Sequence, residues 1–201
     1  MLQITIDIVL DKLLVREVLK AVLSSIFFYR VFGQVKPLVP TREVLDITYA
    51  SIEDAVLEAQ INDKLTLLNA TLEASSQNAS NLLPTNNLSA KVQGQVCIAF
   101  YEKKTKKAWF SKSEEEVCWE KWVINVTSIN PRTDSDRNKM AKSTESQLQN
   151  IMFKIIDIVN ENKDHIPPIT TTETNPFPYQ ILLPSSTDES WGAVFKKILV
   201  E

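Results

Sequence analysis

Glycine is nearly missing from this chain of 201 residues: Gly33, Gly94 and Gly192 are all it has. No two of them lie close together, so neither a glycine-rich phosphate cradle nor a dinucleotide-binding fingerprint can be assembled. Histidine occurs once, at His165, and cysteine twice, at Cys97 and Cys118. A set so small and scattered cannot make an ordinary structural zinc site, which takes four nitrogen or sulfur ligands. Two cysteines that read as unpaired suit a reducing compartment. A dominant charge is also lacking. The net charge of −3 gives no general attraction to nucleic acid or to anionic membrane.

Long apolar runs are missing as well. Residues 13–32 come nearest, but Arg16, Glu17, Lys20 and Arg30 interrupt them. Each such charge costs roughly 2.5–3.5 kcal/mol at a bilayer centre, so the segment reads as a helix enclosed by its own protein. Residues 2–10 alternate apolar and polar with Asp7 inside, the pattern of a strand and not of a signal peptide. Without an entry signal, the glycosylation sequons at Asn69, Asn78, Asn87 and Asn125 read as chance matches.

What is present is an ordinary globular composition, 44% apolar and 23% charged, long enough for one sizeable core. A helix is expected over 10–32, with Leu14, Val18, Val22 and Ile26 buried, Lys12, Arg16, Lys20 and Ser24 as its polar stripe, and Gly33 ending it. Leu45, Ile47 and Tyr49 alternate as a strand. A second helix is expected over 53–74 on the apolar face of Ala55, Ile61, Leu65, Leu68 and Leu72. The Ser- and Asn-rich stretch 75–90 shows no period and reads as a mobile surface loop. A third helix should start near Thr133 or Asp134 and reach about Asn162. Its stripe of Leu148, Ile151, Met152, Ile155, Ile156 and Val159 is the clearest helical signal in the chain. His165, Pro167 and Pro168 end it, with His165 as a surface or capping residue. The tail 166–201 carries a short strand at 179–183 and a strand or short helix at 191–200. The expected fold class is α+β, a single domain over 1–201 with an antiparallel sheet packed with three long helices and a short strand-bearing C-terminal tail.

Between the second and third helices lies the most informative segment. Two strand-like runs, 92–101 and 119–129, flank Lys103, Lys104, Lys106 and Lys107 on one side and Lys112, Glu114, Glu115 and Glu116 on the other. At the centre stand Trp109 and Phe110. A hairpin finger over 103–116 thus carries an aromatic pair at its tip, where its own core cannot bury it, and exposed apolar groups ringed by polar ones mark interaction sites. Val96, Ile98 and Phe100 should share the buried face with Trp122, Ile124 and Val126, since a one-residue slip would turn one set into solvent. That register sets Ile98 opposite Trp122 and Tyr101 opposite Trp119, centres the turn on Phe110, and puts Cys97 and Cys118 on opposite faces, unbridged. Lysines on one leg and glutamates on the other can stiffen the finger, and a stiff anchor loses less entropy on docking.

The residues offer little for catalysis. No acid or base stands opposite the glutamate run, and nothing beside either cysteine suggests an activated thiolate. Lysines around an aromatic pair also fit single-stranded nucleic acid, but the neighbouring acidic cluster balances them.

The order of elements resembles the HORMA fold. Asp46-Ile47-Thr48-Tyr49, Phe100-Tyr101-Glu102-Lys103-Lys104, Trp109-Phe110, Trp119-Glu120-Lys121-Trp122 and Ile155-Ile156-Asp157-Ile158-Val159 follow one another as similar segments do in the autophagy-related protein 101 family, the small HORMA subunits of the autophagy-initiation kinase complex. The resemblance implies a single HORMA domain, no enzymatic activity and no cofactor or metal. It implies a heterodimer with the HORMA domain of autophagy-related protein 13, and a Trp109-Phe110 finger that recruits downstream autophagy factors. It also implies a cytoplasmic protein at the phagophore assembly site, without nucleic acid or a transmembrane segment. The rival readings are a HORMA adaptor of the spindle-checkpoint or DNA-repair type and an unrecognised enzyme.

Overall fold

The structure is a computed structural model that describes residues 1–33, 36–38, 42–82, 91–108, 111–170 and 175–184. The alternation of residues 2–10 produces strand β1, Leu2–Asp11, with Ile4, Ile6, Ile8 and Leu10 buried and Gln3, Thr5, Asp7 and Val9 outside. It is followed by α1, Val15–Arg30. Val18, Val22 and Ile26 are wholly buried, as expected, and Leu14 is half-buried at the N-cap. The helix starts later than its apolar run because Leu10 and Asp11 continue the ladder with β5, and Asp11 then turns the chain by accepting the Leu13 N–H at 2.9 Å. Its end is also earlier than Gly33: Val31 takes an extended conformation and closes the last turn on the Phe27 carbonyl. Ser24, expected on the polar stripe, is buried, whereas Lys20 reaches Glu58 at 2.9 Å.

The run containing Leu45, Ile47 and Tyr49 is a hairpin tip and not one strand. β2 (Arg42–Val44) pairs antiparallel with β3 (Ile47–Tyr49), Val44 facing Ile47. The two linking residues, Leu45 and Asp46, both have positive φ, 52° and 58°. A two-residue turn that matches strand twist requires this, and Asn-Gly ordinarily supplies it. Helix α2, Ala55–Leu82, buries Leu57, Ile61, Leu65, Leu68 and Leu72 and continues through residues 75–82, which the sequence presents as loop. Residues 83–90 lie outside the described residues. Helix α3, Asp134–Glu161, begins at Thr133, whose hydroxyl accepts the Asp136 N–H at 3.1 Å, and it buries Leu148, Ile151, Ile155 and Val159.

The main sheet contains β1, β4 (Lys91–Ala108), β5 (Ser111–Ile129) and β6 (Tyr179–Leu182) in the order β1-β5-β4-β6. It is mixed, not purely antiparallel: β1 runs parallel to β5, while β4 is antiparallel to both β5 and β6. The cause is connectivity. About a hundred residues separate β1 from β5, so no tight turn dictates opposite directions. α1 and α2 cover the sheet face defined by Ile4, Ile98 and Trp122, and α3 runs along the outer edge of β1. There Gln147 exchanges hydrogen bonds with the Val9 backbone and Lys154 Nζ donates to the Thr5 carbonyl at 3.2 Å. These bonds occupy backbone groups that an edge strand otherwise leaves open to another chain. Among the described residues no helix is long and apolar enough to cross a membrane.

Candidate functional site

β1 accompanies β5 only from Glu120 to Ile129, and β6 accompanies β4 only from Cys97 to Phe100. Beyond Tyr101 and Cys118 the two long strands pair, among the described residues, with each other alone, as far as Ala108 opposite Ser111. This two-stranded extension is the finger. The aromatic pair Trp109 and Phe110 itself lies outside the described residues, and the register on either side makes those two the link between the legs. Lys103 stands opposite Glu116 and Lys104 opposite Glu115, an arrangement in which each facing pair contributes about 0.2–1 kcal/mol. Lys104 Nζ also reaches Glu102 on its own leg at 2.7 Å.

The register holds as expected at Ile98 opposite Trp122, then shifts between Phe100 and Tyr101. Phe100 pairs with Glu120 and Tyr101 with Cys118, leaving Trp119 as an extra residue on β5. This β-bulge has three consequences. The link between the legs is centred between Trp109 and Phe110 and not on Phe110. Cys118 comes opposite Tyr101, and so shares the face of Cys97 in place of the opposite one. Both remain free thiols, since four residues of strand put their Cα atoms about 13 Å apart along the ladder, too far to bridge. Burial pushes the Cys97 thiol up to about 11 and raises Cys118, with the Lys121 ammonium pulling the other way on both. Neither is poised as a nucleophile.

The third consequence is the anchor of the finger. A bulge lets successive side chains turn to one side, and here Trp119 and Glu120 both point toward the helices. Trp119 packs against Phe100, His165 and Phe177 at ring separations of 5.8, 5.4 and 5.2 Å. The Glu120 carboxylate, 0% exposed, accepts from Arg30 Nε at 2.8 and 3.0 Å and from the Trp122 indole N–H, and lies 2.7 Å from His165 Nε2. Thus the end of α1, the base of the finger and the segment after α3 converge on one buried carboxylate. His165 therefore does more than cap a helix end. The signal that could have set Glu120 inward is its parity with Trp122 and Ile124, and Arg30 closes the apolar second half of a helix whose other charges, Arg16, Glu17 and Lys20, lie nearer its start. Nothing local ties either of them to His165. A shallow cleft of about 490 Å³ opens beside this anchor between Trp119, Cys118 and Val117 and the 164–168 segment.

The arrangement holds a projecting, charge-rimmed hairpin on a stiff base and offers no catalytic constellation among the described residues. Among those residues no group of three metal-ligating side chains occurs. Comparison with known proteins agrees with the order of segments. The profile of the Autophagy-related protein 101 family matches residues 7–173. The chain is 31% identical to Autophagy-related protein 101 of Arabidopsis thaliana over 205 residues, covering 92% of this chain and 88% of that protein. It is 29% identical to Autophagy-related protein 101 of Schizosaccharomyces pombe over 199 residues, covering 98% and 95%. A profile spanning most of the chain and a full-length relative above 30% identity place it: the chain belongs to the autophagy-related protein 101 family.

Proposed function

We propose that the chain is a non-catalytic adaptor of autophagy initiation, a single HORMA domain that pairs with and stabilises the HORMA domain of autophagy-related protein 13. In this reading Trp109 and Phe110 recruit downstream autophagy factors to the phagophore assembly site from the cytoplasm. The observation that supports it best is the finger. Its legs extend beyond the other described strands of the sheet, and its base is fixed by the Glu120 cluster. A rigid presented aromatic pair has the composition of a binding hot spot, where truncation costs 2 kcal/mol or more, roughly.

The test replaces Trp109 and Phe110 together by Ala. The variant should unfold within about 0.5 kcal/mol of the parent and keep its HORMA partner, yet fail to bring later autophagy proteins to the assembly site. Normal recruitment with an intact fold would refute the finger assignment. Pairing is tested apart from it. Each HORMA protein should melt higher in the mixture than alone, because a ligand of the native state stabilises it by mass action.

A further inference from the structure

The finger is a two-stranded ribbon, and such a ribbon has two outer edges. The outer edge of β4 is accompanied near the finger's root. β6 pairs with β4 from Cys97 to Phe100, and the Tyr101 N–H then donates to the Pro178 carbonyl at 2.8 Å. There the neighbouring chain leaves the ladder, and the Phe177 ring packs against Trp119 and Phe32 at 5.2 and 5.6 Å. From Glu102 to Ala108 β4 pairs, among the described residues, with β5 alone. Alternate residues of an antiparallel pair turn their N–H and C=O groups away from the partner strand, so this edge is a template for one more strand.

Charge selects the strand that fits. The β4 leg carries Lys103, Lys104, Lys106 and Lys107, with Glu102 its single acid. Strand alternation gives Lys103 and Lys107 one face and Lys104 and Lys106 the other, so an added strand meets cations on both faces. It would lie about 4.8 Å from β4 and about 9.6 Å from β5. Salt screens charges over about 8 Å at physiological strength, so the lysines outweigh the glutamates 114–116 of the far leg. Lysine on an edge ordinarily keeps like edges apart. The same charges admit an acidic guest, since opposite charges facing across strands attract and like charges repel. Lys103 stands opposite Glu116 and Lys104 opposite Glu115, so β5 already shows the pairing that a guest repeats on the other side.

We propose that the outer edge of the β4 leg, from Glu102 to Ala108, takes an acidic extended segment of a partner protein by strand addition. Main-chain hydrogen bonds supply the affinity and the lysines the choice of partner. Nucleic acid lacks the alternating donors and acceptors that such a ladder needs. The site is separate from Trp109 and Phe110 and stands whatever that pair recruits.

The probe is a fluorescent, end-blocked peptide, Thr-Glu-Glu-Val-Glu-Glu-Thr, titrated against the full chain and followed by anisotropy. It should bind with a dissociation constant of about 1 mM or tighter. Its glutamine and lysine analogues should bind about tenfold more weakly or worse, because each facing charge pair is worth roughly 1.5- to 5-fold. The Lys103→Glu/Lys104→Glu variant should lose the acidic peptide to the same degree. A copy N-methylated at every peptide nitrogen keeps the charge, loses every ladder donor and should bind as poorly. The Trp109→Ala/Phe110→Ala variant should bind the peptide as the parent does, which keeps this test apart from that of the tip. No binding at about 1 mM overturns the proposal. So does equal binding of the methylated copy, or of an oligothymidylate of the same charge, the mark of a bare cation patch. Dimerisation in sedimentation that displaces the peptide gives the edge to a second copy and overturns it too. If the two charge reversals loosen the finger, as circular dichroism would show, the glutamine and methylated peptides decide on the parent protein.

Discussion

Removing the Glu120 carboxylate should destabilise this protein more than any other single change to a polar group. The Arg30 side chain is 3% exposed and that of Glu120 0%. Glu120→Ala strands a guanidinium away from water, which costs about 3–5 kcal/mol, and leaves the Trp122 indole N–H without its acceptor, worth about 1–3 kcal/mol more. Domains are stable by only about 5–15 kcal/mol, so the variant should be partly unfolded near room temperature. The double variant Arg30→Met/Glu120→Leu removes both charges and should recover much of the loss, because apolar replacement of a buried pair is often near neutral. Urea midpoints of the two single variants and the double give the coupling, which should exceed about 1 kcal/mol for groups in contact. A Glu120→Ala variant within about 1 kcal/mol of the parent would show that water reaches the carboxylate and that the finger has no such anchor.

Three further outcomes are expected. The Cys97 thiol holds its proton to about 11 in the fold against an ordinary 9.0, so the unfolded chain ionises first: its contribution is intact below about 9 and is lost as pH rises toward 11. Urea midpoints of the parent should therefore fall more steeply between pH 8.5 and 10.5, about that window, than those of Cys97→Ala, and parallel slopes would contradict this. Gly94→Ala places a methyl 2.9 Å from Leu72 Cδ2 and 3.0 Å from Leu68 Cδ1. Overpacking at flexible leucine ends should cost about 1 kcal/mol, measured by urea unfolding, and a neutral result would mean that α2 yields freely. Asp46→Gly relieves a left-handed residue at φ 58° and should raise the thermal midpoint, by about 1 kcal/mol of stability or somewhat less; a drop would mean that the Asp46 side chain supports the turn.

By itself the sequence determined whatever has a local period. The stripe from Leu148 to Val159 could only be one face of a helix, and the alternations along β1, β4 and β5 could only be strands with one buried side. The isolated finger followed from two strands flanking a charged centre, and segment order alone pointed to the family. Tertiary structure decided the rest. No residue in β1 records whether its neighbour runs parallel, because that depends on a partner more than a hundred positions away. The bulge at Trp119 shifted the register because both Trp119 and Glu120 find partners on the helix side, in Phe100, Phe177 and Arg30. Leu45 and Asp46 form a turn without the residues that usually announce one, since pairing of Val44 with Ile47 outweighs their own backbone preference. Residues 75–82 prolong α2 although their Ser and Asn composition resembles a loop, because an already nucleated helix adds turns at little cost. The Glu120 cluster was the least legible feature. Its members are 90 and 45 residues apart in sequence, and only the low dielectric of a shared interior makes a guanidinium N–H, an indole and an imidazole converge on one carboxylate.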